Sequence, residues 1–265
     1  MSAVATKPAS TPGPTSRPRL LRFWGSTVGL KILMALTGVI LTGFVLVHML
    51  GNLQVFQGSE SLNAYAKLLR AEPALLWTFR LVLLSAVVLH IVAWVVLLKT
   101  SLAARSGGYQ VTSYKESSYA SRSMKLTGPL LLAFIIYHIL HLTTGTAHPD
   151  YHEGDVYTNL VTGLRVVPVA IIYILAMALL GFHLWHGVWS MFQTLGANQP
   201  RYNSFGRRFA TGFALVVALG FAAVPLAVLA GVIKPAPEPA ERTAAAASEK
   251  ARVVVVPAPE HAQGR

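Results

Sequence analysis

Apolar residues in this chain fall in long blocks, neither alternating as in a half-buried strand nor striped as on a soluble helix. Five blocks, near 29–50, 75–98, 126–145, 166–192 and 207–233, contain no Asp or Glu. Each is long enough to cross about 30 Å of hydrocarbon as a helix rising about 1.5 Å per residue. The pattern predicts an all-α membrane protein with five transmembrane helices. Pro73, Pro129 and Pro168 suit the first turn of a helix, whereas Pro225 lies inside the fifth block and is expected to kink it. Residues 1–23, rich in Ser, Pro, Thr and Arg, have no apolar stretch of the signal-peptide kind and read as a disordered tail. Residues 24–233 form the transmembrane domain, and 234–265, rich in Ala, Pro and Glu, read as a second disordered tail.

Composition sharpens this picture. The chain of 265 residues is 54% hydrophobic and 12% charged, and its mean hydropathy is +0.53. A net charge of +12 would suggest nucleic acid in a soluble domain, but here the basic residues flank apolar blocks, so they are assigned to orientation in the bilayer and no nucleic-acid partner is expected. Lys7 to Lys31, Lys99 to Lys125 and Arg201 to Arg208 all fall on one side, while a facing loop carries Asp150, Glu153 and Asp155. By the positive-inside rule the N-terminus is cytoplasmic, and five crossings leave the C-terminus on the outer side. The chain has no cysteine, which excludes thiolate-bound iron–sulfur clusters, c-type haem and disulfides. A redox cofactor would have to be held by histidine.

Four of the blocks carry such histidines. "LTG" at 36–38 is followed, after nine residues, by His48, and "LTG" at 126–128 by His138 at the same offset. His48 lies seventeen residues after Lys31, and His138 sixteen after Arg122, about 25 Å along each helix. His90 precedes Lys99 by nine residues and His183 precedes Thr194 by eleven, placing both about 13–16 Å from the cytoplasmic side. Two pairs thus fall at two depths. Histidine in hydrocarbon is costly and faces a bundle interior with a partner. Interhelical hydrogen bonding alone would account for one such residue, but one on each of four helices in two layers matches b-type haem, whose flat ring takes an imidazole on each face. Structural zinc would want four ligands at one point. The expected cofactors are therefore two haem b, bound and metal-ligated by His48, His90, His138 and His183, in a haem-binding helical bundle.

Neighbouring histidines complicate the assignment. "HILH" offers His138 or His141, and "HLWH" offers His183 or His186. Residues three apart on one helix cannot grip both faces of one ring. The repeat selects His138, while depth leaves His183 and His186 open. His141 and His186 are otherwise packing residues. His148 and His152 in a polar outer loop, and His261 in the tail, are expected to be solvated. Gly38, Gly43 and Gly128 would permit close approach of a ring or of another helix.

The segments "SxxGLKxxMALTG" leading to His48 and "GN", "YASRSMKLTG" leading to His138, and "FHLWHGVWSMFQTLG" around His183 resemble the dihaem cytochrome b membrane-anchor subunit of succinate dehydrogenase and fumarate reductase (succinate:quinone oxidoreductase), of the single-chain five-helix type, over about residues 24–233. The resemblance implies a multi-pass protein of the bacterial cytoplasmic membrane, without catalytic activity of its own. In it His90 and His183 would bind a proximal haem and His48 and His138 a distal one. The implied partners are a flavoprotein subunit with FAD, an iron–sulfur subunit and a quinone, usually menaquinone in this type, besides membrane lipid. Lys31, Arg122 and Ser26 lie at the cytoplasmic boundary, where haem propionates would end and a cation would offset their charge; snorkelling to lipid phosphate explains the two cations as well. Asn52, Gln54, Asn63 and Lys67 lie in the first outer loop, where they would meet a quinone carbonyl or form an amphipathic interfacial segment. The absence of carboxylates from the spans counts against proton-coupled variants. The alternatives are a haem b subunit of another quinone-linked dehydrogenase or reductase, or a haem-free transporter or anchor.

Overall fold

A block of twenty or more apolar residues in hydrocarbon must satisfy its backbone internally, and a helix does this within one segment. The computed structural model, which describes residues 19–104, 119–148, 150–197 and 199–236, is helical throughout, with no strand among the described residues. A short helix α1, Arg19–Trp24, lies partly within the segment assigned to the N-terminal tail. It is followed by α2 (Thr27–Asn52), α3 (Ser59–Arg70), α4 (Pro73–Ala103), α5 (Tyr119–His138), α6 (Val156–Arg165), α7 (Val167–Thr194) and α8 (Pro200–Leu229). A 3₁₀ turn, Leu53–Gln57, extends α2, and a π turn, Ile139–Thr143, extends α5. Five of these segments are long and apolar enough to cross a membrane: Thr27–Gln57, Pro73–Ala103, Arg122–Thr143, Val167–Thr194 and Pro200–Leu229. The five expected spans are all present. The rest of the N-terminal tail, most of the C-terminal tail and His261 lie outside the described residues.

Pro73 and Pro168 do stand in the first turns of α4 and α7. Pro129 does not. It lies inside α5, which starts ten residues earlier at Tyr119, because "YASRSMKLT" is compatible with helix and a membrane helix tolerates an internal proline. The helix α8 likewise continues through Pro225.

The chain divides into two units: residues up to Val47, Pro73–Lys125 and Gly181–Val216 form the first, and His48–Glu72, Leu126–Leu180 and Val217 onward the second. In the first unit the buried positions are mostly small, with Ala35, Ala86, Ala93, Ala210 and Ala214 joined by Leu184 and Val188. Small residues let helices approach closely where lipid supplies no hydrophobic drive to associate. Large apolar side chains such as Trp77, Phe79 and Leu84 point outward, as suits a lipid-facing surface.

The second unit has a denser core of Val55, Leu62, Tyr157, Leu160, Val161, Leu164, Tyr173, Val224, Val228 and Ile233. Two short helices contribute to it. Within α6, positions 157, 160, 161 and 164 recur at helical spacing and are buried. Asp155 caps α6, its Oδ1 accepting from the Thr158 N–H at 3.0 Å and its Oδ2 from the Thr158 hydroxyl at 2.7 Å. Asn63 on α3 ties in at both ends of its amide, donating to Asp155 Oδ1 at 2.9 Å and accepting from the Tyr157 N–H at 3.0 Å. The Tyr157 hydroxyl donates to the Lys234 carbonyl at 2.7 Å. Burial raises its pKa above the ordinary phenol value, so it keeps its proton and remains a donor.

Candidate haem-ligating histidine pairs

The first unit brings together His90 of α4 and His183 of α7, with ring centres 6.3 Å apart and planes at 55°. The second unit brings together His48 of α2 and His138 of α5, with centres 5.9 Å apart and planes at 78°. Two imidazoles that share a metal through one nitrogen each, at about 2 Å per bond, have ring centres about 6 Å apart once the size of each ring is added. Both pairs have that spacing, and each is supplied by two different helices. Among the described residues no three His, Cys, Asp or Glu side chains converge on one point. The donor sets are therefore pairs, which suit a metal whose other positions are filled by a macrocycle. The residues present fit b-type haem.

The surroundings of the four rings differ. The hydroxyl oxygen of Thr37, on α2, lies 3.1 Å from His90 Nδ1, and the same hydroxyl reaches the Leu33 carbonyl at 2.8 Å and that of Met34 at 3.1 Å. His183 Nδ1 is buried with no hydrogen-bond partner among the described residues, an orphaned polar atom in an apolar span. Asn52 Nδ2 lies 3.4 Å from each ring nitrogen of His48 and donates to the His48 carbonyl at 2.8 Å. His138 Nδ1 lies 3.3 Å from the Tyr173 hydroxyl, and Phe134 stacks on the His138 ring.

The ring that meets His48 belongs to His138. His141 points elsewhere, fully buried, with its Nδ1 2.9 Å from the Tyr173 hydroxyl and its ring stacked between Tyr137 at 5.4 Å and His148 at 4.9 Å. The expectation for His148 is corrected here: it is buried, not solvated. Its Nε2–H donates to the Asn159 carbonyl at 3.0 Å, and its Nδ1 accepts from the Asp150 N–H at 3.1 Å. Gly163 makes room for this stack, since a Cβ there would lie 2.7 Å from the His141 ring and 2.9 Å from His148 Nε2. His152 is exposed, as expected, and His186 is half-buried on α7.

At the other predicted positions, Ser26 serves as the N-cap of α2, donating to the Phe23 carbonyl at 2.6 Å and accepting from the Gly29 N–H at 3.1 Å. Lys31 is exposed and Arg122 half-buried. Of the three glycines noted, Gly38 faces His90 at ordinary contact distance, 3.8 Å for an added Cβ, while Gly43 and Gly128 meet nothing within 4 Å. Sequence reasoning missed Thr37, Tyr173 and the His148–Asn159 bond. Thr37 had a signal, the Thr of the repeated Leu-Thr-Gly, whose second copy places Thr127 at a buried position.

Residues 104–223 match the succinate dehydrogenase/fumarate reductase transmembrane subunit family. That segment holds 120 of the chain's 265 residues. Comparison with curated proteins and with solved structures found no match. The portion matched to the transmembrane-subunit family contains one member of each histidine pair, His138 and His183, together with His141 and His186. His48 and His90 precede it.

Proposed function

We propose that this chain is the membrane-anchor and electron-transfer subunit of a succinate:quinone oxidoreductase, of the single-chain dihaem type. The observation that carries this reading is the two interhelical histidine pairs, at 6.3 and 5.9 Å between ring centres, in a five-span chain matched to the transmembrane-subunit family. His90 and His183 would hold one haem b, and His48 and His138 the other. When bound, the haems supply one-electron transfer between an iron–sulfur subunit and a membrane quinone, menaquinone by the resemblance. The flavoprotein subunit with FAD carries the dicarboxylate chemistry, and this chain has no catalysis of its own. The N-terminus is cytoplasmic and the membrane is the bacterial cytoplasmic one.

The protein's part is to hold four imidazoles in an apolar, water-poor surround and to fix their orientation through neighbouring hydroxyls and amides. Lys31 and Arg122 are the basic groups that would offset propionate charge in the first unit. Asn63 is committed to α6 by two hydrogen bonds, so among the loop residues considered for a quinone carbonyl, Lys67, exposed on α3, is the better donor.

A pyridine haemochrome assay on the purified complex tests the reading. Two b haems per copy of this chain are expected, and His183→Ala should leave one. No haem in a folded preparation overturns the proposal and returns the histidines to helix packing.

A further inference from the structure

An axial imidazole must present one nitrogen to the metal, so the proton on its other nitrogen needs an acceptor. Around His90 the acceptor can be deduced from heavy atoms. The Thr37 hydroxyl has a single proton, and its oxygen lies 2.8 Å from the Leu33 carbonyl and 3.1 Å from the Met34 carbonyl. Carbonyl oxygens only accept, so the proton goes to that turn of α2; directed at His90 instead, it would leave two bare oxygens 2.8 Å apart. The Thr37 oxygen therefore faces His90 Nδ1, at 3.1 Å, as an acceptor. An acceptor facing Nδ1 demands a proton on that nitrogen.

This clarity is particular to His90. Tyr173 has one proton for two ring nitrogens, those of His138 and His141, and His183 Nδ1 has no partner among the described residues. Thr37 is 4% exposed, so water does not compete for its oxygen.

We infer that Thr37 is a positioning residue that fixes His90 in its Nδ1–H form, leaving Nε2 as the metal-facing atom and making His90 the more basic imidazole of its pair. The inference rests on the proposed haem function and adds to it the tautomer of one ligand and the residue that sets it. Donation of Nδ1–H to an acceptor raises the basicity of the ligating nitrogen and so favours the oxidised metal.

The test is redox titration and low-temperature EPR of the assembled complex carrying Thr37→Val, which keeps the shape and removes the acceptor. Both haems are expected to remain, with one midpoint potential rising, its low-spin ferric signal shifting and the other haem unchanged. Thr37→Ser should restore the wild-type values, and Thr37→Ala should shift the same potential in the same direction. Loss of that one haem at limiting haem supply in the Val form, rescued by Ser, would support the same role through affinity. Unchanged potentials and EPR in both the Val and the Ala forms would overturn the inference while leaving the haem-binding reading intact, as would equal shifts of both haems. A wild-type complex without haem would overturn both.

Discussion

At the residue scale the second unit pairs two histidines three positions apart with two different kinds of neighbour. His138 meets His48, whereas His141 is held by Tyr173 and the ring of His148. His141 is therefore expected to hold structure rather than a metal. His141→Ala should leave two haems by pyridine haemochrome and lower stability by about 1–3 kcal/mol, the cost of removing one of the two ring nitrogens beside the buried Tyr173 hydroxyl, read as earlier thermal unfolding of the purified complex. A loss of one haem in that variant would mean that His141 is a ligand. Tyr173 and Thr37 illustrate what the sequence left hidden. A tyrosine or threonine in an apolar span has many roles open to it, and only contact with a particular ring nitrogen distinguishes positioning from packing.

At the element scale, the short helices α3, anticipated as an amphipathic interfacial segment, and α6, read as a loop, are built by ordinary local rules. Gly58 adopts φ of +98° between the 3₁₀ turn and α3, a left-handed conformation that glycine reaches without a Cβ clash. Asp155 caps α6, and the apolar spacing at 157, 160, 161 and 164 follows it, so α6 was legible in principle; the surrounding His, Pro, Asp and Gly made the segment read as a loop. Asp155→Ala removes the cap and the anchor for Asn63 together. It should destabilise the second unit by about 1–2 kcal/mol, measured as faster amide hydrogen exchange over 156–165, with exchange in the first unit unchanged. Uniform acceleration across both units would show that α6 is not a local element. The correction at Pro129 belongs to this scale too: proline predicts a helix start in water, where its lost hydrogen bond breaks the helix, but within a bilayer the helix remains the only solution for its neighbours.

At the scale of the whole molecule, the distribution of charge predicts a cytoplasmic N-terminus and a C-terminus on the outer side. Fusion of alkaline phosphatase to the C-terminus should give active enzyme and fusion of green fluorescent protein there should give none, with the reverse pattern for fusions after residue 104, between the second and third spans; the opposite result would invert the topology. The five spans were determined by sequence alone, because a carboxylate-free apolar block of such length satisfies its backbone in hydrocarbon as a helix. So was the presence of one histidine, or of a closely spaced histidine pair, on each of four spans. What tertiary structure decided was which of two histidines faces a neighbour. Residues 183 and 186 are about 60° apart around a helix turning about 100° per residue, on the same broad side, so spacing cannot choose between them. The fold brings His183 of α7 to His90 of α4, with Ala93, Leu184 and Val188 buried on the same two helices. The burial of His148 was beyond the sequence for a related reason, since the carbonyl it reaches lies on α6 and the ring it stacks on lies beyond α5, and a polar residue in a loop is solvated or buried according to what packs over it.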